Sequence, residues 1–223
     1  MKKPIICFMG LDGSGKSTSI DYAFELLKGR GVKVKIVRAA YVAVATRGLI
    51  HLGKKLLMNK HDDEYTDYRV YLENLRKQAN RGFVYSIFSF LTTCEFKLQI
   101  LFRIILNQLL GYTLLVDRYI YDNVVTYAAN LGLGEEYMRK TMACKWKRSP
   151  KADKIIYIRT SVDICFSRKD DTPDPYYLEI RGPLYDKICE MFGGVIISGE
   201  QPKQAMLDEV MREVFNTLFE VKI

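Results

Sequence analysis

The sequence predicts an α/β fold, a three-layer sandwich in which a five-stranded parallel sheet carries helices on both faces. Three observations predict it. Five short apolar runs are typical of strands buried on both faces. Each run is followed by apolar residues at helical spacing, so that strands and helices alternate. A glycine-rich loop joins the first strand to the first helix. Only residues 39–111 break the alternation, and they predict a helical insertion.

The predicted strands and helices follow in chain order. Strands are predicted at residues 5–9, 32–37, 113–116, 154–158 and 195–198. The first two strands and the helix between them form a βαβ unit, whose crossover should be right-handed. Helical spacing occurs at residues 17–27, 48–58, 63–80, 83–110, 122–142 with a break at 131–134, 161–168, 176–191 and 204–219.

The strongly apolar stretch 83–110 has two interpretations. A membrane-spanning helix needs about 18 or more residues with few or no charges. Here Glu95, Lys97 and Arg103 interrupt the stretch, and no window of that length is free of charge. We therefore favour buried helices that belong to the insertion, and we expect no association with a membrane.

Composition limits the remaining classes. A chain of 223 residues suits one domain, residues 1–223. The net charge of +8 is spread along the chain, so phosphorylated substrates explain it without nucleic acid. The five cysteines are widely spaced and contain no C-x-x-C pair, which predicts a reducing, cytoplasmic location without a zinc site. The first predicted strand begins at Ile5, so we expect no signal peptide.

Residues 10–18 match the phosphate-binding pattern G-x-x-x-x-G-K-[ST], with a strand before and a helix after. The motif predicts a P-loop NTPase that binds ATP through backbone N–H groups and the positive end of the helix. Lys16 would bridge the β- and γ-phosphates, and the Ser17 hydroxyl would bind Mg²⁺. The predicted ATP-binding residues of the loop are Gly10, Leu11, Asp12, Gly13, Ser14, Gly15, Lys16, Ser17 and Thr18.

Two further features fit phosphate chemistry. Asp117 directly follows the third strand, where a carboxylate can reach Mg²⁺ or the attacking oxygen, and Arg118 comes next. Residues 170–175 contain two prolines among acidic residues, which predicts a loop rather than a helix. With Arg168 before this loop and Arg181 after it, residues 168–182 have the composition of a lid that closes over the γ-phosphate.

Other P-loop classes fit less well. Residues 59–62 spell N-K-x-D, the guanine-reading pattern of GTPases, but they precede Asp117 and no D-x-x-G occurs in the chain. Motor ATPases carry a second acidic residue beside the Mg²⁺ aspartate, where this chain has Arg118. An arginine at that position favours binding of an anionic acceptor over activation of water.

The chain resembles the thymidylate kinase family along most of its length, and three motifs carry the resemblance. They are the loop 10–18 with its Asp12, the triplet Asp-Arg-Tyr at 117–119 and the segment 168–185. The resemblance implies the reaction ATP plus dTMP to ADP plus dTDP, with Mg²⁺, in a homodimer whose contact face could come from residues 83–110. It also implies that Asp12 holds the 3′ hydroxyl of the acceptor. Asp117 would organise Mg²⁺ and the acceptor phosphate, which Arg118 would clamp.

One subgroup of the family places a catalytic arginine in the P-loop, at the position of Gly13, and a second supplies the charge from the lid. This chain resembles the second, so Arg168, with Lys169 and Arg181 as further candidates, would stabilise the γ-phosphoryl charge. Catalytic roles are therefore implied for Lys16, Asp117 and Arg168, and ATP binding also for Arg181.

The acceptor half departs from the family pattern. Arg38 would face the acceptor phosphate, but no arginine-and-proline motif follows it. The positions of the thymine-stacking Phe and its partner Arg fall at Thr93 and Lys97, with Phe90 or Phe96 as alternatives in a shifted register. Asp122 replaces a serine. The acceptor could thus be another nucleoside monophosphate, a nucleoside or a non-nucleotide, and a regulatory P-loop ATPase that serves a partner or nucleic acid stays open.

Overall fold

The structure is a computed structural model that describes residues 3–48, 68–79, 83–169 and 174–220. Its five strands form one parallel sheet in the order β2-β3-β1-β4-β5, which confirms the predicted fold class. Each lies within two residues of its predicted bounds. The N-K-x-D tetrapeptide and all but the first residue of the predicted helix 48–58 lie outside the described residues. The strands are β1 (Ile5–Met9), β2 (Val34–Arg38), β3 (Thr113–Asp117), β4 (Lys154–Arg159) and β5 (Val195–Ser198).

Helices cover both faces of the sheet. Alternate residues of β1 point in opposite directions: Ile5 and Cys7 belong to one buried cluster, and Ile6 and Phe8 to the other. Within the described ranges the helices are α1 (Lys16–Gly29), α2 (Tyr68–Ala79), α3 (Phe83–Ile100), a π-helical segment (Leu101–Ile105), α4 (Leu106–Leu109), α5 (Ile120–Leu131), α6 (Glu135–Cys144), α7 (Val162–Ser167), α8 (Pro175–Glu179), α9 (Gly182–Met191) and α10 (Lys203–Glu220).

Two predicted helices are interrupted. The predicted break at 131–134 is confirmed: α5 ends at Leu131, and Gly132 caps it with a φ of +67°, in the left-handed region. The predicted helix 176–191 is wrong as a single element, because α8 ends at Glu179 and α9 begins at Gly182. Pro183 lies in the first turn of α9, where a missing backbone N–H costs nothing.

The apolar stretch 83–110 also divides, into α3, the π-helical segment and α4. Its inner side buries Phe96, Ile100 and Ile104 in the main core cluster. Its outer side leaves Phe90 and Phe102 exposed. In the part of the chain that the structure describes, no helix has the length and apolar character needed to cross a membrane.

The parallel arrangement brings the glycine-rich loop, Arg38 and Asp117 to one edge of the sheet. In the register of the strands, Asp117 pairs with Phe8 on one side and with Arg38 on the other. The loop after β1 is the glycine-rich loop, and the loop after β3 carries Arg118. Ligands of open α/β sheets bind at this carboxyl edge.

Candidate active site

The glycine-rich loop lies between β1 and α1 with the backbone that its sequence requires. Gly10, Gly13 and Gly15 have φ of +145°, +86° and +100°, which residues with a side chain rarely adopt. At Gly13 a Cβ atom would lie 2.4 Å from the carbonyl oxygen of Cys165. Position 13 is thus closed to a side chain, and an arginine could not be placed there without moving the backbone of α7.

Lys16 occupies the first position of α1 and is buried, with 6% of its surface exposed. Its Nζ donates hydrogen bonds to the carbonyl oxygens of Gly10 (2.8 Å) and Leu11 (2.6 Å). Burial lowers the pKa of the ammonium and the neighbouring Arg118 lowers it further, while Asp12 acts in the opposite direction. The lysine is therefore held over the loop by acceptors that a phosphate oxygen can replace.

Arg118 crosses from the end of β3 to the P-loop. Its Nη2 donates to Oδ1 of Asp12 in a close ion pair. Its φ is +57°, the only positive value among the non-glycine residues that the structure describes, and such backbone strain concentrates at functional sites. Burial lowers the pKa of the guanidinium, but Tyr185, Asp122 and Asp12 raise it by more, so that the pKa lies above its ordinary value. The cation is fixed and permanently charged.

One carboxylate oxygen of Asp117 is left without a hydrogen bond. Its Oδ1 is buried and has no hydrogen-bond partner in the described part of the chain. A buried carboxylate oxygen without a partner is costly, unless a cation or water binds it. Ser17 lies exposed in the first turn of α1. A hydroxyl and a carboxylate are oxygen donors of the kind that Mg²⁺ takes, with water and phosphates as its remaining ligands, so the donor set fits this ion.

Asp122 extends the ion pair into the core. Its Oδ1 accepts a hydrogen bond from the Tyr185 hydroxyl (2.5 Å) and lies 3.9 Å from Nη1 of Arg118, and its Oδ2 accepts from the Tyr119 amide (3.2 Å). Burial raises the pKa of this carboxyl, while Arg118 and the Tyr185 hydrogen bond oppose the shift. The sequence marks Asp122 as a departure, but its link to Tyr185, sixty-three residues away, has no signal in the sequence.

Arg168 lies at the P-loop and Arg181 does not. Nη1 of Arg168, an exposed residue, is 3.4 Å from the Gly13 carbonyl oxygen and 3.5 Å from that of Gly199. Arg181 is buried, and its guanidinium carbon lies 3.7 Å from the ring centroid of Tyr177. It donates to the Tyr68 hydroxyl, the Asn130 side chain and the Tyr177 carbonyl. The break between α8 and α9 turns this arginine inward, so its predicted role in ATP binding has no geometric support here.

A cleft lies between α3, α5 and α6, beside the segment that follows β2. The cleft is narrow, because the space open to the centre of a water molecule is only about 10 Å³. Thr93 lies in it, so the helix position expected to carry the stacking ring does reach the cleft, but carries no ring. Aromatic surface comes instead from Tyr127, Tyr137 and Trp146. The residues around it are Ser89, Thr93, Asn123, Val124, Tyr127, Tyr137, Thr141, Lys145 and Trp146, with Tyr41, Thr92 and Phe96 at its adjoining end.

Two predicted acceptor-binding residues are not brought to this cleft. Phe90 is 67% exposed and Lys97 is also exposed. Both lie on the exposed side of α3, whereas Thr93 and Phe96 face inward. Phe96 packs at right angles against Trp146 in the core, with ring centroids 5.2 Å apart. The structure therefore does not place Phe90 and Lys97 in the cleft.

Glu95 fastens the segment after β2 to α3, a contact that sequence reasoning missed. Its carboxylate accepts hydrogen bonds from the Val44 amide (2.7 Å), the Ala45 amide (2.6 Å), the Tyr41 hydroxyl (2.8 Å) and the Thr46 hydroxyl (2.6 Å). Although partial burial opposes it, these bonds lower the pKa of Glu95 to about 2. The segment starts after Arg38, an exposed residue beside Asp117, and so joins the phosphate end of the site to the cleft.

The chain is also similar in sequence to a known protein. The chain is 24% identical to "Probable thymidylate kinase" of Archaeoglobus fulgidus over 226 aligned positions, which cover 98% of this chain and 97% of that protein. No family model matches the chain. The similarity thus runs over the whole length at low identity, and it suggests a nucleotide kinase.

Proposed function

We propose that this protein is an ATP-dependent kinase of nucleoside monophosphates, with dTMP to dTDP as the preferred reaction. One observation carries the proposal: Arg118, a permanently charged residue, is held against Asp12 of the P-loop. A hydrolytic enzyme needs a base for water at this point, whereas a fixed guanidinium suits the phosphate of a second substrate. The similarity to the archaeal protein supports the same class.

Each residue then has a role in direct transfer. The loop amides and Lys16 hold the β- and γ-phosphates of ATP. Arg118, with Arg38 on the neighbouring strand, holds the acceptor phosphate, and Asp12 accepts a hydrogen bond from the acceptor's 3′ hydroxyl. The bond between the γ-phosphorus and the bridging oxygen breaks as an acceptor phosphate oxygen bonds to that phosphorus, and ADP leaves. Such catalysis is mainly positioning and charge stabilisation.

The metal and the lid complete the charge balance. Ser17 and Asp117 would hold Mg²⁺, which supplies positive charge to the β- and γ-phosphate oxygens. Arg168 would move from the Gly13 carbonyl onto the γ-phosphoryl group, and the lid of residues 168–182 would exclude water. The steric closure of position 13 supports a lid-supplied cation over one in the P-loop.

A different acceptor is the alternative, and the cleft supplies the observation that favours it. Thr93 takes the place of a stacking ring, and the aromatic groups come from α5, α6 and Trp146. A kinase of the same fold for another nucleoside monophosphate, a nucleoside or a non-nucleotide acceptor would fit these walls. A regulatory ATPase is less well supported, because it gives Arg118 no anion to bind.

We also propose that the protein acts in the cytoplasm as a homodimer. The outer side of α3 and the π-helical segment exposes a continuous set of large apolar side chains: Ile87, Phe90, Leu98, Leu101 and Phe102. A patch of this kind is typical of an interface. Sedimentation should give a dimer for the protein and a monomer for Phe90→Glu/Phe102→Glu, with Val42→Glu as an exposed control outside the patch.

The decisive experiment measures ADP release from Mg-ATP with dTMP, dUMP, dCMP, dAMP, dGMP and thymidine as acceptors. Strong stimulation by dTMP supports the preferred reaction, and stimulation by another of these acceptors keeps the mechanism but changes the substrate. ADP release that needs DNA, RNA or a protein, and no small acceptor, would contradict the kinase proposal.

A further inference from the structure

Arg181 is a buried cation that the proposed reaction does not use. Only 4% of its surface is exposed. Within the described ranges no carboxylate pairs with its guanidinium, and its Nε atom has no hydrogen-bond partner. Removing a cation from water is costly unless an anion pairs with it. A neutral side chain would fill this space at a lower cost, so packing alone does not account for an arginine here.

The guanidinium of Arg181 joins three helices. Its Nη1 donates a hydrogen bond to the hydroxyl of Tyr68, the first residue of α2 (2.9 Å), and another to the carbonyl oxygen of Tyr177 in α8 (2.9 Å). Its Nη2 donates to Oδ1 of Asn130, near the end of α5 (2.8 Å). Because the fork of an arginine is planar and rigid, it fixes the directions of these bonds together, which a lysine cannot do.

The backbone of Arg181 leads from these helices toward the proposed acceptor site. Its carbonyl oxygen accepts a hydrogen bond from the Tyr185 amide in the first turn of α9 (2.9 Å). The Tyr185 hydroxyl in turn donates to Asp122, whose Oδ1 lies 3.9 Å from Nη1 of Arg118. Tyr177, whose ring packs on Arg181, is a further group that raises the pKa of the Arg118 guanidinium. The start of α9 is thus connected to α2 on one side and to Arg118 on the other.

Resting on the proposed function, we propose that Arg181 is a positioning residue for the acceptor. It holds the start of α9 against α2 and α5, so that Tyr185 and Asp122 keep Arg118 in the orientation that binds the acceptor phosphate. Since α2 belongs to the helical insertion, Arg181 links this insertion to the phosphate end of the site without contacting either substrate. Its effect is therefore on the acceptor and not on ATP.

A purely structural contact between α2 and α5 is the competing explanation, and Arg76 supplies the matched control. Arg76 joins the same two helices: its Nε donates to the carbonyl oxygen of Asn130 (3.1 Å) and its Nη2 to that of Ala129 (3.3 Å). It is half-buried, and in the described part of the chain it makes no hydrogen bond to α8 or α9. A role confined to packing predicts the same result for both arginines.

The test compares Arg181→Lys with Arg76→Lys in steady-state kinetics, with ATP and the monophosphate that the wild type uses best, and in urea unfolding. Arg181→Lys should raise the KM of the acceptor by about tenfold, while the KM of ATP changes by less than about twofold. Arg76→Lys should leave both KM values within about twofold of the wild type, even where its unfolding midpoint falls as far as that of Arg181→Lys.

Two outcomes would overturn the inference. An acceptor KM that is unchanged in Arg181→Lys, or equally raised in both variants, would make the contact structural only. A larger rise in the KM of ATP than in that of the acceptor would mean that Arg181 serves the nucleotide donor. If Arg181→Lys does not fold, Tyr68→Phe takes its place, because it removes one hydroxyl and keeps the ring. It should raise the acceptor KM by about threefold, and no change there would overturn the inference as well.

Combination with Tyr185→Phe tests the path to Arg118. If Arg181 acts through Tyr185, the acceptor KM of Arg181→Lys/Tyr185→Phe should lie within about twofold of that of the more impaired single variant. Effects that multiply in the double variant would show that the two residues act independently, and the inference would be wrong while the kinase proposal stands. A wild type that phosphorylates no monophosphate would instead overturn the proposed function, and the inference with it.

Discussion

The proposed site has two halves, one for ATP and one for the acceptor, and they are built from different parts of the chain. The ATP half is made largely of backbone: three left-handed glycines, the carbonyls that hold Lys16, and the first turn of α1. The acceptor half is made of side chains from the segment after β2, from α3, from α5 and from α6. One short motif therefore sets the backbone conformation that binds a phosphate. The side chains that bind a base, in contrast, can come from any of several helices.

Arg118 joins the two halves, because its guanidinium pairs with Asp12 of the P-loop and lies 3.9 Å from Asp122 of α5. If the halves are as separable as their construction suggests, substitutions should divide into those that affect ATP, those that affect the acceptor and those that affect only the transferring group.

The largest effects are expected in the ATP half. Lys16→Ala should abolish most transfer and weaken ATP binding. Arg168→Ala should lower kcat by about 10³-fold while ATP affinity stays nearly unchanged, because the guanidinium rests on the Gly13 carbonyl until the γ-phosphoryl charge develops. Steady-state kinetics with a separate ATP titration measures both, and Lys140→Ala, at an exposed lysine of α6, is the control. Full activity of Arg168→Ala would remove this residue from the mechanism.

Arg118→Lys should give the next largest effect, on the acceptor. A lysine keeps the charge but loses the fork that can hold Asp12 and a phosphate together, so kcat/KM for the acceptor should fall by about 10²-fold. The affinity for ATP should change by less than about threefold. An equal loss of ATP affinity would mean that Arg118 serves the donor phosphates and that the division between the halves is wrong.

The same division decides what the sequence could predict. All five strands and the glycine-rich loop follow from apolar runs and one contiguous motif, and they are where the sequence places them. The acceptor cleft does not follow from the sequence, because its groups meet only in three dimensions. Trp146 and Thr93 share the cleft, and nothing in the sequence around either residue indicates the other. Lys97 was assigned by counting from Asp117 and Phe90 by a shift of register, and neither step accounts for the direction in which α3 turns these side chains.

Tyr185→Phe tests the buried extension of the acceptor half. The substitution removes the hydroxyl that donates to Asp122 (2.5 Å) and leaves a buried carboxylate with one partner fewer, so the free energy of unfolding should fall by about 1–3 kcal/mol. Because Asp122 contacts Arg118, the KM of the acceptor should rise with it. Urea unfolding and acceptor kinetics measure the two effects.

Tyr22→Phe is the control for this substitution, since the Tyr22 hydroxyl has no hydrogen bond within the described ranges. A loss of stability in Tyr185→Phe without any change in the acceptor KM would show that the Asp122–Tyr185 pair supports the core and does not help to position Arg118.

The smallest effect concerns the segment that closes the acceptor half. Glu95→Gln keeps a hydrogen-bond acceptor but removes the charge that binds two amides and two hydroxyls, and it should cost about 1–2 kcal/mol at pH 7. The folded pKa of about 2 lies below the ordinary value of 4.5. The carboxylate therefore contributes its full stabilisation above pH 4.5, and this contribution decreases as the pH falls from 4.5 toward 2.

The difference in unfolding free energy between the wild type and Glu95→Gln should accordingly be large at pH 7 and smaller at pH 3, while Glu73→Gln, an exposed glutamate on α2, should show little effect at either pH. Hydrogen exchange of the Val44 and Ala45 amides reports the same contact locally. A difference that is equal at both pH values would mean that the geometry of the acceptor, and not its charge, holds this segment. In that case hydrogen-bond geometry alone would hold the segment that closes the acceptor half. The P-loop would then differ from it more clearly, because charge contributes there.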